Sequence, residues 1–187
     1  MKKYILIAGV NGAGKSTLFH VLDELQGMPR VNTDEIVKQF GDWNNTSDVF
    51  KAGKQAVKKI NDYFEQGATF NQETTLCGNN ILKNIKKAKS LGYFIELHYV
   101  SVENVEIAKI RVAHRVSVGG HGIPEEDIER RYIETFENLN KILNDCDRIS
   151  FYDNTNEFER FAVIEDGKFV VLVEDVPEWF GKIKKPL

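Results

Sequence analysis

Gly9-Val10-Asn11-Gly12-Ala13-Gly14-Lys15-Ser16 satisfies G-x-x-x-x-G-K-[ST] at every fixed position. Glycines at these positions let successive backbone N–H groups turn inward around phosphate oxygens, and a following helix N-terminus adds positive potential. Lys15 has the reach to contact β- and γ-phosphates, and the Ser16 hydroxyl is a Mg²⁺ ligand by type and place. Asn11, Gly12, Ala13, Gly14, Lys15, Ser16 and Thr17 are therefore the candidate phosphate-binding residues, for ATP with Mg²⁺. A loop of this kind does not choose between hydrolysis, transfer and mechanical coupling. Ser117-Val118-Gly119-Gly120 weakly resembles the signature loop of ABC-type ATPases, but no strand ends in an Asp-Glu pair, and that reading is set aside.

Transfer to a hydroxyl needs a base at the acceptor and cations around the moving phosphoryl group. Asp34, in Val31-Asn32-Thr33-Asp34-Glu35, stands at a strand end where a carboxylate can accept the substrate proton. The competing reading makes Asp34 the cap of the helix it opens. Glu73, in Asn71-Gln72-Glu73-Thr74-Thr75, closes another strand, in the ligand crevice of an open α/β sheet. Glu73 and Thr74 can hold a metal-bound water or a polyol hydroxyl there, or can be an ordinary polar strand end. Arg111 and Arg115 lie four apart on one helical face. Gly119-Gly120-His121-Gly122 follows, then Arg130 and Arg131 on the next helix. The group is expected to form a lid over about 111–131 that brings charge to the transition state, with surface pairing to Glu106, Glu126, Asp127 and Glu134 as the plainer alternative for any one arginine. His114 and His121 lack partners at metal-ligand spacing, so neither predicts a zinc site. Asp153-Asn154-Thr155 can touch an adenine or simply turn the chain.

These residues need elements to hold them. Tyr4–Val10 is nearly continuous in apolar residues, as in a strand buried on both faces of a parallel sheet. A helix is predicted over Lys15–Leu25, with Leu18, Val21, Leu22 and Leu25 at helical spacing, ended by Gly27 and Pro29. Helices are further expected from Asp34, from a Ser47 cap to about Gln66, over Ile81–Ser90, over Glu103–Val118, and from Pro124 as first helical residue. Strands are expected over Thr69–Thr75, Tyr93–Val100 and Arg148–Tyr152. Asp166-Gly167 between Ala162–Glu165 and Lys168–Glu174 signals a two-residue hairpin. Lys83, Lys86, Lys87 and Lys89 form a solvated helix face, and Phe136, Leu139 and Leu143 are core by spacing. Alternation of strand and helix gives an α/β fold of P-loop NTPase type: three layers, a mainly parallel central sheet, a helical lid and a C-terminal β-hairpin at about 161–174. One domain is expected over 1–187, since no repeat, low-complexity stretch or linker interrupts the chain.

The 187 residues, 42% hydrophobic and 28% charged, suit an ordinary globular chain and exclude wholesale disorder. No apolar run approaches the roughly 20 residues of a membrane span, and Met1–Lys3 leads into a strand rather than a signal peptide. Cys77 and Cys146 are expected as reduced thiols of a cytoplasmic protein. A net charge of −3 disfavours nucleic acid bound through a whole face, which counts against a nucleic-acid end kinase.

Five segments together resemble the zeta-toxin family of P-loop kinases, in its small bacterial branch: GVNGAGKST (Gly9–Thr17), VNTDEI (Val31–Ile36), NQETTL (Asn71–Leu76), HRVSVGGHGIPEEDIERRY (His114–Tyr132) and FYDNT (Phe151–Thr155). The resemblance implies an ATP/Mg²⁺-dependent phosphotransferase. Toxin members of the family phosphorylate the 3′-hydroxyl of the sugar in UDP-N-acetylglucosamine. By the same resemblance Asp34 matches the general base, Glu73 a substrate-binding carboxylate, and Arg111 or Arg115 the first of two arginines on the transferred phosphate. The position of the second holds His121; His121 replaces it, or Arg130 or Arg131 reaches back. A small-molecule hydroxyl acceptor is expected, and an antitoxin-like protein partner is implied by the family alone. The other class of function is a nucleotide-binding interaction protein whose output is a complex.

Overall fold

The structure, a computed structural model, describes residues 1–184; the last three residues of the expected 1–187 unit lie outside the described residues. In chain order the elements are β1 (Lys3–Gly9), α1 (Lys15–Val21), β2 (Arg30–Val31), α2 (Thr33–Phe40), α3 (Thr46–Gln66), β3 (Phe70–Thr74), α4 (Asn79–Ser90), β4 (Phe94–Ser101), α5 (Val105–Ser117), α6 (Glu125–Ile142), β5 (Arg148–Asp153), β6 (Glu159–Glu165) and β7 (Lys168–Val171). Three short 3₁₀ turns, Asp23–Leu25, Leu143–Asp145 and Glu178–Lys182, complete the set.

The strands form one sheet in the order β2-β3-β1-β4-β5-β6-β7. The first five run parallel; β6 and β7 return antiparallel. Strand β1 sits centrally, buried from Tyr4 to Gly9, because its apolar residues are needed on both faces. On one face the Tyr4 ring meets Phe64 of α3 and Phe70, while Tyr99 of β4 meets Phe136 of α6 and Trp179. Glu96 and His98 point to the opposite face, where α1 lies and its Phe19 ring stacks on Arg30 of β2. The expected Asp166-Gly167 turn is present: both residues have positive φ (52° and 71°) and β6 pairs with β7 across it.

Several expected boundaries move, for local reasons. The first helix ends at Val21, because Leu22 turns extended (φ −86°, ψ 95°) before the Asp23–Leu25 turn. Val21 is exposed; Leu18 and Phe19 are the buried residues of α1. Asn45, not Ser47, caps α3, its side chain accepting from the Ser47 N–H. Asn104 likewise caps α5, which starts at Val105. Pro124 has an extended ψ of 139° and stands just outside α6 instead of opening it. β7 ends at Val171, short of the expected Glu174. The expected core residues Phe136, Leu139 and Leu143 are buried.

Candidate functional site

The carboxyl ends of β1 and β3, the start of α2 and the facing sides of α5 and α6 enclose a cleft of about 660 Å³. Asn11, Gly12, Gly14, Lys15, Ser16 and Thr17 line its floor. Ala13 does not: it is fully buried behind the loop, its N–H on the Val10 carbonyl (3.3 Å) and its own carbonyl accepting from Asn154 Nδ2 (2.9 Å). Asn154 thus braces the phosphate loop from behind. Lys15 Nζ rests on the carbonyls of Gly9 (3.1 Å) and Val10 (2.9 Å). Burial lowers its pKa, with Glu73 and then Asp34 opposing.

Asp34 is not a cap. Asn32 accepts from the N–H groups of Asp34 (2.8 Å) and Glu35 (3.4 Å), which leaves the Asp34 carboxylate half-exposed in the cleft. Asn32 therefore takes the capping role that the sequence also allowed for Asp34. Its amide also donates to Glu73 Oε2 (3.0 Å). The Asn32-to-Glu35 spacing was a readable capping-box signal.

Glu73 is held from three sides. Ser16 Oγ donates to both its oxygens (3.0 and 3.2 Å), Asn32 reaches Oε2, and Arg30 Nη2 meets Oε2 at 2.6 Å. Arg30 was missed in the sequence. Its guanidinium lies 3.5 Å from the Phe19 ring centroid, and it also donates to Glu35 (2.9 Å) and Asn71 (3.2 Å). No local pattern marks it: the partners come from three other elements. Ser16 Oγ and the Glu73 carboxylate place hard oxygen donors beside the phosphate loop, a set that fits Mg²⁺. Thr74 lines the cleft beside them, its Oγ1 accepting from the Leu76 N–H (3.0 Å).

The arginines separate into two kinds. Arg111 packs beside Gly12 and donates to the Thr155 carbonyl (3.0 Å). Arg115 donates to the His121 carbonyl (3.0 Å), and the Gly120 N–H returns to the Arg115 carbonyl (2.8 Å), so the glycine loop wraps this side chain. Burial lowers the Arg115 pKa, opposed by Asp34 and Glu73, and a guanidinium stays charged. Arg130 pairs with Asp127 (2.7 Å) and Glu134 (3.1 Å), and Arg131 stands 3.6 Å from Asp127. The plainer alternative, surface pairing, thus describes Arg130, although both residues edge the cleft. His121 stacks on Trp43 (centroids 4.0 Å, 14°), with Nε2 3.8 Å from Asp34 Oδ2. Its pKa is lowered by burial, with Asp34 opposing.

A phosphate loop between β1 and α1, on a parallel sheet with the cleft at its carboxyl edge, defines a nucleotide-binding, kinase-like α/β fold. The chain belongs to the zeta toxin family, whose model matches residues 1–163. It is 34% identical over 130 residues to an uncharacterised protein of Haemophilus influenzae, covering 70% of this chain and 92% of that one. A solved structure of AvrRxo1-ORF1:-ORF2 with ATP matches at a TM-score of 0.75 and 16% identity over all of this chain, which spans only 64% of that one. The PezAT chromosomal toxin–antitoxin system of Streptococcus pneumoniae matches at 0.63 and 19% identity, over 85% of this chain and 70% of that one. No helix among the described residues is long and apolar enough to cross a membrane.

Proposed function

We propose that the protein is an ATP/Mg²⁺-dependent phosphotransferase acting on a hydroxyl of a small molecule. The observation that carries this is Asp34: Asn32 does the capping, and the released carboxylate faces the phosphate loop, Arg115 and Glu73 across one cleft. Asp34 takes the acceptor proton as the hydroxyl attacks the γ-phosphorus and ADP leaves. Lys15 moves from its two carbonyls onto the phosphates. Arg115 supplies a fixed charge that feels both Asp34 and Glu73, and Arg111 holds the Thr155 turn against the loop. Mg²⁺, bound through Ser16 with Glu73 behind it, would neutralise charge on the β- and γ-phosphates. The 111–131 segment serves as a lid, with Arg115 gripping its glycine loop and Arg131 and His121 at its inner edge.

Family membership supports a UDP-N-acetylglucosamine-type acceptor as the first to test. The experiment is transfer from γ-labelled ATP with Mg²⁺ to that nucleotide sugar, to a pooled metabolite extract, and to no acceptor. Label on the sugar, lost in Asp34→Asn while ATP binding persists, is the expected result. Equal turnover in Asp34→Asn would remove Asp34 as the base, and label only on another component would keep the kinase and change the acceptor. A second reading, a nucleotide-binding protein held by an antitoxin-like partner, draws support from family membership and from the PezAT likeness. Stable ATP binding without transfer to any acceptor, together with co-purification of a small protein, would favour it.

A further inference from the structure

The face of the sheet that carries α1 contains a second cluster of ionisable groups, away from the cleft. Glu96 and His98 alternate along β4 and are 5% and 3% exposed. Glu24, in the turn after α1, brings a carboxylate to them, and the three ligand atoms lie within 4.8 Å of one another.

The buried pair stands at the outer limit of hydrogen-bond distance. His98 Nε2 is buried and has no hydrogen-bond partner among the described residues, yet it faces Glu96 Oε1 at 3.5 Å. That spacing is the edge of a tetrahedron around a first-row cation: bonds of about 2.1 Å put adjacent ligands about 3.4 Å apart. The other ring nitrogen, Nδ1, lies 3.1 Å from the Tyr152 hydroxyl. With Nδ1–H donating to that oxygen, Nε2 carries the lone pair, which is how histidine ligands are commonly oriented at metal sites. Glu96 divides its two oxygens. Oε2 takes the Lys3 ammonium (3.1 Å), while Oε1 is left toward His98, with Arg148 farther off at 3.9 Å. Lys3 and Glu24 are both open to solvent, so either side chain can change rotamer without disturbing the core.

We propose that Glu24, Glu96 and His98 form a binding site for a divalent first-row cation of the zinc class, oriented by Tyr152, with water in the fourth position. One imidazole with two carboxylates suits zinc, cobalt or manganese better than magnesium or calcium, which prefer all-oxygen shells. The site joins the turn after α1 to the middle of the sheet. A bound cation would therefore anchor the far end of the helix that begins at Lys15.

The test uses untagged full-length protein with excess Mg²⁺ present, titrated with Co²⁺ for its visible spectrum and with Zn²⁺ by calorimetry. The expected result is one equivalent of Co²⁺ showing tetrahedral d–d bands without thiolate charge transfer. Glu24→Gln, an exposed change that leaves folding intact, should weaken Zn²⁺ about tenfold or more. His98→Gln should abolish the bands, and Tyr152→Phe should weaken affinity by about tenfold. Absence of the bands, a cysteine charge-transfer signal, or unchanged affinity in Glu24→Gln would overturn the proposal.

Discussion

Arg30 shows how much one side chain can decide. Its guanidinium and the Glu73 carboxylate are each 9% exposed, and they meet at 2.6 Å. A buried ion pair of this kind contributes little beyond what two apolar groups would, but losing one partner strands the other charge. Arg30→Gln is expected to destabilise the fold by about 3–5 kcal/mol in urea unfolding. Arg30→Lys keeps the charge but loses the fork and the stack on Phe19, so it should recover only part of that loss. Full recovery by lysine would show that charge alone matters. Asp34, Glu73, Lys15 and Ser16 stand out in the sequence by type and neighbours, since strand ends and glycine loops have local signatures, and the fold brings all four to one cleft. The cap at Asn32 carries a signal in its spacing from Glu35, although the sequence reading offers Asp34 for that place. Arg30 carries no such signal, because its partners lie up to 43 residues away and meet it only when β2 pairs with β3.

At the scale of elements, the junctions constrain the site. Gly9 ends β1 with φ of 141°, and a Cβ there would stand 1.8 Å from the Val100 carbonyl oxygen of β4. Gly9→Ala should therefore cost at least about 3 kcal/mol, read as a lower urea midpoint, because backbone must move to admit the methyl. The loop between α5 and α6 is held differently, through the His121 ring on Trp43. Burial lowers the imidazole pKa below its ordinary 6.5, with Asp34 opposing and Arg115, Lys38 and Arg131 adding to the fall. The stacked ring is then neutral at pH 7. As pH falls below 6.5, the released ring takes a proton before the stacked one does, so the closed loop loses stability downward from that value. An NMR titration should place the His121 midpoint below that of an unstructured histidine; a midpoint at or above 6.5 contradicts the argument. Strand and helix identities followed from hydrophobic period. The caps did not, since Asn45 and Ser47 are both competent and only backbone geometry chose between them.

At the scale of the molecule, the C-terminal turn reaches back to the phosphate loop. Trp179 is 1% exposed, with ring neighbours Tyr99, Phe136 and Phe161 from β4, α6 and β6. Its Nε1–H donates to Asp153 Oδ1 (2.7 Å). Asp153 also accepts from the Thr155 N–H and hydroxyl (2.9 and 2.8 Å), and the Thr155 carbonyl takes Arg111 beside Gly12. The hairpin was legible in the sequence, but nothing local announced that a tryptophan beyond it completes the core over the parallel strands. Two consequences separate. Trp179→Ala removes a large buried ring and should cost about 3–5 kcal/mol in urea unfolding, within a single transition, since the ring bridges strands on both sides of β5. Trp179→Phe keeps most of the packing but leaves Asp153 short of one donor, for a loss of about 1–3 kcal/mol. Because Asp153 fixes the turn that holds Arg111, this milder variant should also weaken ATP binding measured by calorimetry. A stability loss with ATP affinity unchanged would cut the link between the C-terminal turn and the phosphate loop. Two separate unfolding transitions would instead make β6, β7 and Trp179 an appendage to the parallel sheet rather than part of its core.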